Sequence, residues 1–426
     1  MGAGVARQNE GLAMRIFSKI AATFRWKIIL VSAVAAMVEG YDLQVVGYVA
    51  PVMTQEWDLP PGAFGPTFSI GLVGLMLGCL LIAPLADRYG RTRIIVGSTL
   101  TYGTLVFLSA MVDSIDALFW VRLFTGLGLG GALPNITATA AEASPVRWRI
   151  TTVAIIYCGF GLGSFVGGLV AAALVESYGW QSVFVFGGTA SLALVPVLLF
   201  GLPRSAPKSA SEAIPARRDA IPVRLLFHDG RARFTILLWI IYFTGLMDLY
   251  MLASWLPTTI SEQGISIGTA ALVAGLMQIG GISGALTMSP LVDRYRPSPF
   301  LPLAYIFAAL CIATIGFAGS SVPLTIAAVM GAGFGIIGGQ ITSDGVAAKV
   351  YPTHIRATGV GWALGIGRMG SILGPFLVGT ALAFGVDVRT IFVCSAVPAL
   401  LAALAYFVMG DLKASEDELV DSGIVA

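Results

Sequence analysis

The sequence is short of charge. Asp, Glu, Lys and Arg make up only 11% of its 426 residues, and just two histidines occur. A soluble chain carries about a quarter of its residues as charged side chains. With 57% of residues apolar and a mean hydropathy of +0.86, both a multidomain soluble protein and a disordered one are excluded. His228 and His354 fall in expected loops, which argues against a histidine-built metal centre or a catalytic triad. The formal net charge is +2 and basic residues are not grouped in blocks, so no nucleic-acid partner is expected. Cys79, Cys158, Cys311 and Cys394 all lie inside apolar stretches and read as small membrane-helix residues, neither a disulfide framework nor a metal set. No cofactor is implied.

Apolar runs are what the chain has in quantity. A helix crossing about 30 Å of hydrocarbon needs roughly 20 such residues. Twelve runs qualify, at about 27–50, 65–86, 94–112, 118–141, 151–175, 181–202, 234–259, 269–291, 300–320, 322–346, 357–383 and 389–409. The fold class expected is therefore an all-α integral membrane protein. Lys and Arg collect in cytoplasmic loops, and with both termini inside, those segments hold 22 of the 25. Residues 1–26 lack a small-residue cleavage site, so the first span reads as an uncleaved anchor.

The two halves repeat one another. Asp42 and Pro51 match Asp248 and Pro257 at an offset of 206, as Pro84, Leu85, Asp87, Arg88 and Tyr89 match Pro290, Leu291, Asp293, Arg294 and Tyr295. Further on, Gly126, Gly128 and Gly131 match Gly333, Gly335 and Gly338 at 207, as Gly163, Ser164 and Gly167 match Gly370, Ser371 and Gly374. Such a register predicts two parallel six-helix units, a common plan for transporters. The boundaries are a cytoplasmic tail at 1–26, a first half at 27–202, a linker loop at 203–233, a second half at 234–410 and a cytoplasmic tail at 411–426. The triplets Gly126-x-Gly128-x-x-Gly131 and Gly333-x-Gly335-x-x-Gly338 imitate a dinucleotide fingerprint, but they follow no strand and sit in membrane helices, where small residues permit close packing.

Ionisable groups inside the spans cost some 2.5–3.5 kcal/mol each on insertion scales and are functional candidates by default. Glu39 and Asp42 share a helical face, roughly 18 and 22 Å into the first span at 1.5 Å per residue. Repulsion between them and loss of water favour one of the pair holding a proton. Alternatively, the outer vestibule solvates them. Asp248 stands at the position equivalent to Asp42. Trp255, on the same face, either stacks on an aromatic ring or anchors the helix at the interface. Arg368, near the midplane of the eleventh span, suits a carboxylate held in two-pronged fashion, or else an internal ion pair with Asp42, Asp248 or Asp344. A salt bridge from Arg122 to Glu39 or Asp42 is a further expectation. Asn135, Thr139, Glu142, Gln340 and Asp344 supply either polar contacts to a substrate or packing hydrogen bonds. Asp87, Arg88, Gly90 and Arg91, with Asp293 and Arg294, lie where helices end and read as a cytoplasmic gate.

Asp87-Arg88-Tyr89-Gly90-Arg91, the weaker Asp293-Arg294-Tyr295-Arg296 and Arg122-x-x-x-Gly126 resemble the major facilitator superfamily over almost the whole chain. Glu39-Gly40-Tyr41-Asp42, Pro134-Asn135, Trp255-Leu256-Pro257 and the run from Tyr351 to Gly359 resemble its aromatic acid:proton symporters. Glu39 stands where that family usually has Asp, and Ala83 where the loop motif often has Gly. The resemblance implies a monomeric, proton-coupled importer of benzoate-like carboxylates in a bacterial inner membrane, working by alternating access. It implies proton coupling through Glu39, Asp42, Arg122 and Asp248, and substrate contacts from Arg368, Asn135, Trp255, Gln340 and Tyr41. The expected partners are the aromatic acid, protons and the lipid bilayer. Other readings are a carrier of another organic anion such as nicotinate or a phenylpropanoate, a proton-driven exporter, and a membrane sensor. Neither a nucleophile–base constellation nor a large soluble domain supports an enzyme or the sensor.

Overall fold

The computed structural model describes residues 25–145, 148–203, 223–228, 230–295, 297–352 and 355–410. The two tails, most of the linker, Arg147, Arg296 and His354 lie outside the described residues. Among the described residues there are twelve long helices and no strand. They are α1 (Trp26–Glu56), α2 (Phe64–Leu81), α3 (Arg91–Ser109), α4 (Ile115–Glu142), α5 (Arg149–Tyr178) and α6 (Gln181–Gly201), then α7 (Ala232–Glu262), α8 (Ile267–Arg294), α9 (Pro297–Phe317), α10 (Val322–Val350), α11 (Arg356–Ala383) and α12 (Val388–Met409). Each coincides with an expected span to within a few residues. Eleven are long and apolar enough to cross a membrane on length and composition alone. The exception, α3, starts Arg-Thr-Arg and carries Ser98, Thr99 and Thr101, which lower its hydropathy.

Several helices start and stop on local chemistry. Ser114, Ser266 and Asp387 cap α4, α8 and α12, each accepting from the backbone N–H three residues on. Gly90, at φ 89°, lies in the left-handed region and lets the chain turn from the short helix Ala86–Tyr89 into α3.

The glycine repeats seen in the sequence pack helices in the same way in both halves. A Cβ on Gly126 of α4 would fall 2.1 Å from the Gly71 carbonyl of α2, and one on Gly333 of α10 would fall 2.0 Å from the Met277 carbonyl of α8. Gly163 of α5 likewise abuts the Met37 carbonyl of α1, as Gly370 of α11 abuts that of Phe243 in α7. No side chain fits there, so the letters that imitate a nucleotide motif are backbone contact points.

The halves meet unevenly. Near the α1–α2 turn, Gln44 Nε2 donates to the Ala253 carbonyl at 3.1 Å and Ser69 Oγ to that of Ile372 at 2.8 Å. There the Phe68 and Trp255 rings meet edge to face at 5.2 Å, and Gly168 of α5 lies against the backbone of Ala271 in α8. Toward the other side of the membrane, where Arg91, Glu142 and Arg356 lie, Gly361 and Gly365 of α11 and Gly345 of α10 border open space. The halves thus enclose a cavity shut at the α1–α2 end and open at the Glu142 end.

Replacing Gly333 by Val is expected to force α8 and α10 apart. Overpacking of this kind costs about 1–3 kcal/mol or more, which should lower the thermal midpoint in detergent by several degrees. Gly97→Val, where a Cβ meets open space, is the control expected to leave it unchanged.

Candidate functional site

Arg368 lies half-buried on α11, its Nη1 donating to the Tyr250 hydroxyl at 3.1 Å, with the guanidinium 5.9 Å from the centre of that ring. Asp344 of α10 and Tyr157 of α5 are close enough to act on it electrostatically, so residues from both halves surround it. Among the described residues Arg368 makes no ion pair; the one salt bridge joins Arg91 Nη1 to Glu142 Oε2 at 2.6 Å. Asp344 Oδ1 accepts from the Tyr242 hydroxyl at 2.5 Å, and its residue is exposed to the cavity. A planar cation with spare donors, flanked by two tyrosines in a cavity open to one side, is suited to a small planar anion.

Glu39, Asp42 and Asp248 do not line this cavity, whereas Arg122 borders a pocket that Tyr250 also lines. Asp42 is fully buried and faces α6, where Ser191 Oγ donates to its Oδ2 at 2.5 Å. Glu39, 1% exposed, has neither carboxylate oxygen partnered among the described residues. The expected salt bridge from Arg122 is not formed: its guanidinium donates instead to the backbone carbonyls of Asp42 and Leu43, both at 3.4 Å. That geometry fastens α4 to α1 at the very turn that carries Asp42, while leaving the carboxylate to Ser191. Asp248 is fully buried inside the second half, beside Tyr305 of α9. The carboxylates are shielded inside their own halves rather than solvated by a vestibule.

Four expected substrate contacts sit elsewhere. Tyr41 donates to the Val183 carbonyl at 2.8 Å and packs against Phe186, because its face of α1 turns toward α6. Asn135 donates to the carbonyls of Ala83 and Gly131, bracing the break after α2. Trp255 is 4% exposed, bonded through Nε1 to the Pro375 carbonyl at 2.9 Å and wedged against Phe68. It neither anchors at a lipid interface nor offers a free face to the open cavity; it plugs the closed end. Gln340 points into the second half with both amide atoms unpartnered. Of the gate residues, Asp87 is exposed, Arg88 lies over the Tyr89 ring at 5.4 Å and Arg294 repeats this over Tyr295 at 5.8 Å. The Asp293 side chain lies outside the described residues. Tyr250, Tyr157 and Ser191 were not legible as site residues, since tyrosines and serines are unremarkable in apolar spans until their partners are known.

The fold, with glycine-packed repeats around a central one-sided cavity, matches known transporters. A family model described as Major Facilitator Superfamily matches residues 32–375 and 238–421. The chain belongs to the Major Facilitator Superfamily. This transporter is 36% identical to the gallate transporter of Pseudomonas putida, over 92% of its own length and 93% of that protein's. It is 35% identical to the 4-hydroxybenzoate transporter PcaK of Pseudomonas aeruginosa, over 91% and 93%. Identity to the 3-(3-hydroxy-phenyl)propionate transporter of Escherichia coli is 38%, over 88% and 91%. Among solved structures, a nucleoside transporter, NupG, superposes with a TM-score of 0.73 over 90% of this chain and 99% of its own, at 16% identity, which establishes the shared fold.

The asymmetry of the cavity has a direct readout. With native cysteines removed, a single cysteine at Gly365 is expected to react with a membrane-impermeant thiol reagent added on the Glu142 side. One at Ser69, in the closed seam, is expected to react at least tenfold more slowly from either side.

Proposed function

We propose that the chain is a proton-coupled symporter importing hydroxylated aromatic carboxylates across a bacterial inner membrane by alternating access. The observation that carries this reading is Arg368, a cavity guanidinium without an ion pair among the described residues, held by Tyr250 and flanked by Tyr157. The guanidinium takes the carboxylate in two-pronged fashion, and the tyrosine rings border the aromatic ring. Relatives named for gallate, 4-hydroxybenzoate and hydroxyphenylpropionate share this chemistry, a hydroxylated aromatic ring bearing a carboxylate directly or at the end of a two-carbon side chain. The positive-inside distribution of Lys and Arg supports a reading in which both termini, and the open end of the cavity, lie on the cytoplasmic side.

In this mechanism Glu39 and Asp42 carry the coupling proton. An unpartnered carboxylate in a bilayer is strongly disfavoured in its charged form, so emptying the pair of its proton is costly unless the protein rearranges. Arg122 ties the backbone of that turn to α4, so a shift of α4 alters the surroundings of the pair. Rocking of the halves opens the seam at Gln44, Ser69 and Trp255, exposes the site to the periplasm, and closes the other end around Asp87, Arg88, Gly90, Arg91, Asp293 and Arg294. Substrate anion and proton enter together and leave together. The transporter functions as a monomer in this scheme.

Reconstitution in liposomes with an internal pH dye tests the reading. Gallate, 4-hydroxybenzoate and 3-(3-hydroxyphenyl)propionate are expected to acidify the lumen faster with protein than without, and Asp42→Asn to abolish the difference. Arg368→Lys keeps the charge but loses the fork; since a hydrogen bond to a charged group contributes about 1.5–3 kcal/mol, KM should rise about tenfold or more. Protein-dependent acidification by none of these acids, with folded protein, would overturn the substrate assignment.

A further inference from the structure

Five of the buried polar atoms in the second half that lack a hydrogen-bond partner among the described residues belong to three side chains: Asp248 Oδ1 and Oδ2, the Tyr305 hydroxyl, and Gln340 Oε1 and Nε2. Asp248 and Tyr305 are fully buried, and Gln340 is 6% exposed. The three belong to one place. A Cβ on Gly245 would lie 2.5 Å from Gln340 Oε1 and 3.3 Å from the Tyr305 hydroxyl. Asp248 lies three residues on, on the same face of α7. Side chains from α9 and α10 therefore lean onto α7 at the turn that carries the carboxyl.

Among the described residues no cation pairs with Asp248. On α9 the neighbour is Tyr305, whose ring stacks at 5.8 Å on Tyr406 of α12. Tyr406 donates to Ser343 of α10, and Tyr242, on α7 itself, donates to Asp344. On α11 the nearest charge is Arg368, already turned to Tyr250. Among the described residues no charged group of α1 or α8 lies within ionic reach of Asp248. A carboxylate ion here would face only dipoles across hydrocarbon. A protonated carboxyl is the form these surroundings tolerate: neither Gln340 nor Tyr305 bonds Asp248 as the side chains stand, and a rotamer change of either would supply an acceptor for its O–H or a donor for its carbonyl oxygen. Asp344, one helical turn beyond Gln340 and exposed to the cavity, gives the proton a way out.

We propose that Asp248, with Tyr305 and Gln340, forms a second proton-binding site, so that two protons accompany each monoanionic substrate and uptake carries one net positive charge. This rests on the reading of the chain as a proton–carboxylate symporter. The first proton belongs to the Glu39–Asp42 pair of the other half, and the repeat has placed one buried carboxyl site in each.

The test uses 4-hydroxybenzoate in proteoliposomes with the potential clamped by potassium and valinomycin and no pH gradient. For one net charge, steady-state accumulation in the wild type should rise about tenfold for every ~60 mV, inside negative. Asp248→Asn should still accumulate substrate on a pH gradient while losing the response to potential. A potential response retained in Asp248→Asn, or absent from the wild type, overturns the proposal. A second measurement needs no substrate: infrared difference titration of the purified protein. The protonated-carboxyl stretch assigned by its loss in Asp248→Asn should follow pH. A stretch that stays constant with pH, as for a permanently protonated structural carboxyl, or that responds to sodium instead, also overturns it. If Asp248→Asn does not fold, the stretch is assigned by its displacement in Asp248→Glu, and Tyr305→Phe should shift its midpoint; an unmoved midpoint counts against the site. A stretch that titrates while no aromatic acid is transported supports the proton site and refutes the substrate reading instead.

Discussion

A charge inside hydrocarbon must find a counter-charge, give up its ionisation or face water, and the placement of polar groups in this protein follows from that constraint. Arg368 and Asp344 face water, at the wall of a cavity between the halves, the arginine steadied by the Tyr250 hydroxyl and the aspartate by that of Tyr242. Asp42 is given a hydroxyl from Ser191, and Arg122 is given two backbone carbonyls. Glu39 and Asp248 are given nothing among the described residues, which is the arrangement suited to groups that hold protons. In the proposed scheme anion binding and proton binding are separated in space: the anion site lies between the halves, and the carboxyls lie within them.

This separation makes coupling a matter of helix movement. Arg122 reaches the backbone of α1 at the turn of Asp42, and Gln340 and Asp344 lie a turn apart on α10, one against Gly245 of α7 and the other exposed. Such movement needs helices that slide while staying in contact. Gly126 against Gly71 in α2 and Gly333 against Met277 in α8 provide smooth backbone surfaces for it, without interlocking side chains. The seam held by Gln44, Ser69 and Trp255 contains only a few hydrogen bonds and one aromatic contact, a modest barrier to reopening.

Much of this was readable in the letters, for definite reasons. A helix in lipid must satisfy its own backbone and present an apolar surface, so run length locates all twelve, including α3, whose apolar run at 94–112 qualifies although the whole helix is more polar than the rest. The midplane arginine was legible because its cost demands a purpose. Which way a side chain faces was not, because the spans are apolar on nearly every side and carry little amphipathic signal. Trp255 therefore read as a stacking platform or an interfacial anchor, and the packing of α7 against α2 and α11 made it a plug. Arg122 and Asp42 share a neighbourhood, as expected, but only the position of α6 reveals that Ser191 claims the carboxylate.

The central claim is that the guanidinium of Arg368 receives the substrate's carboxylate. Equilibrium binding of 4-hydroxybenzoate and its neutral carboxamide, to the wild type and to Arg368→Gln, tests it without transport. The account predicts that the wild type prefers the carboxylate by at least tenfold and that the preference vanishes in Arg368→Gln. An equal preference in both proteins would contradict it and place the anion site elsewhere.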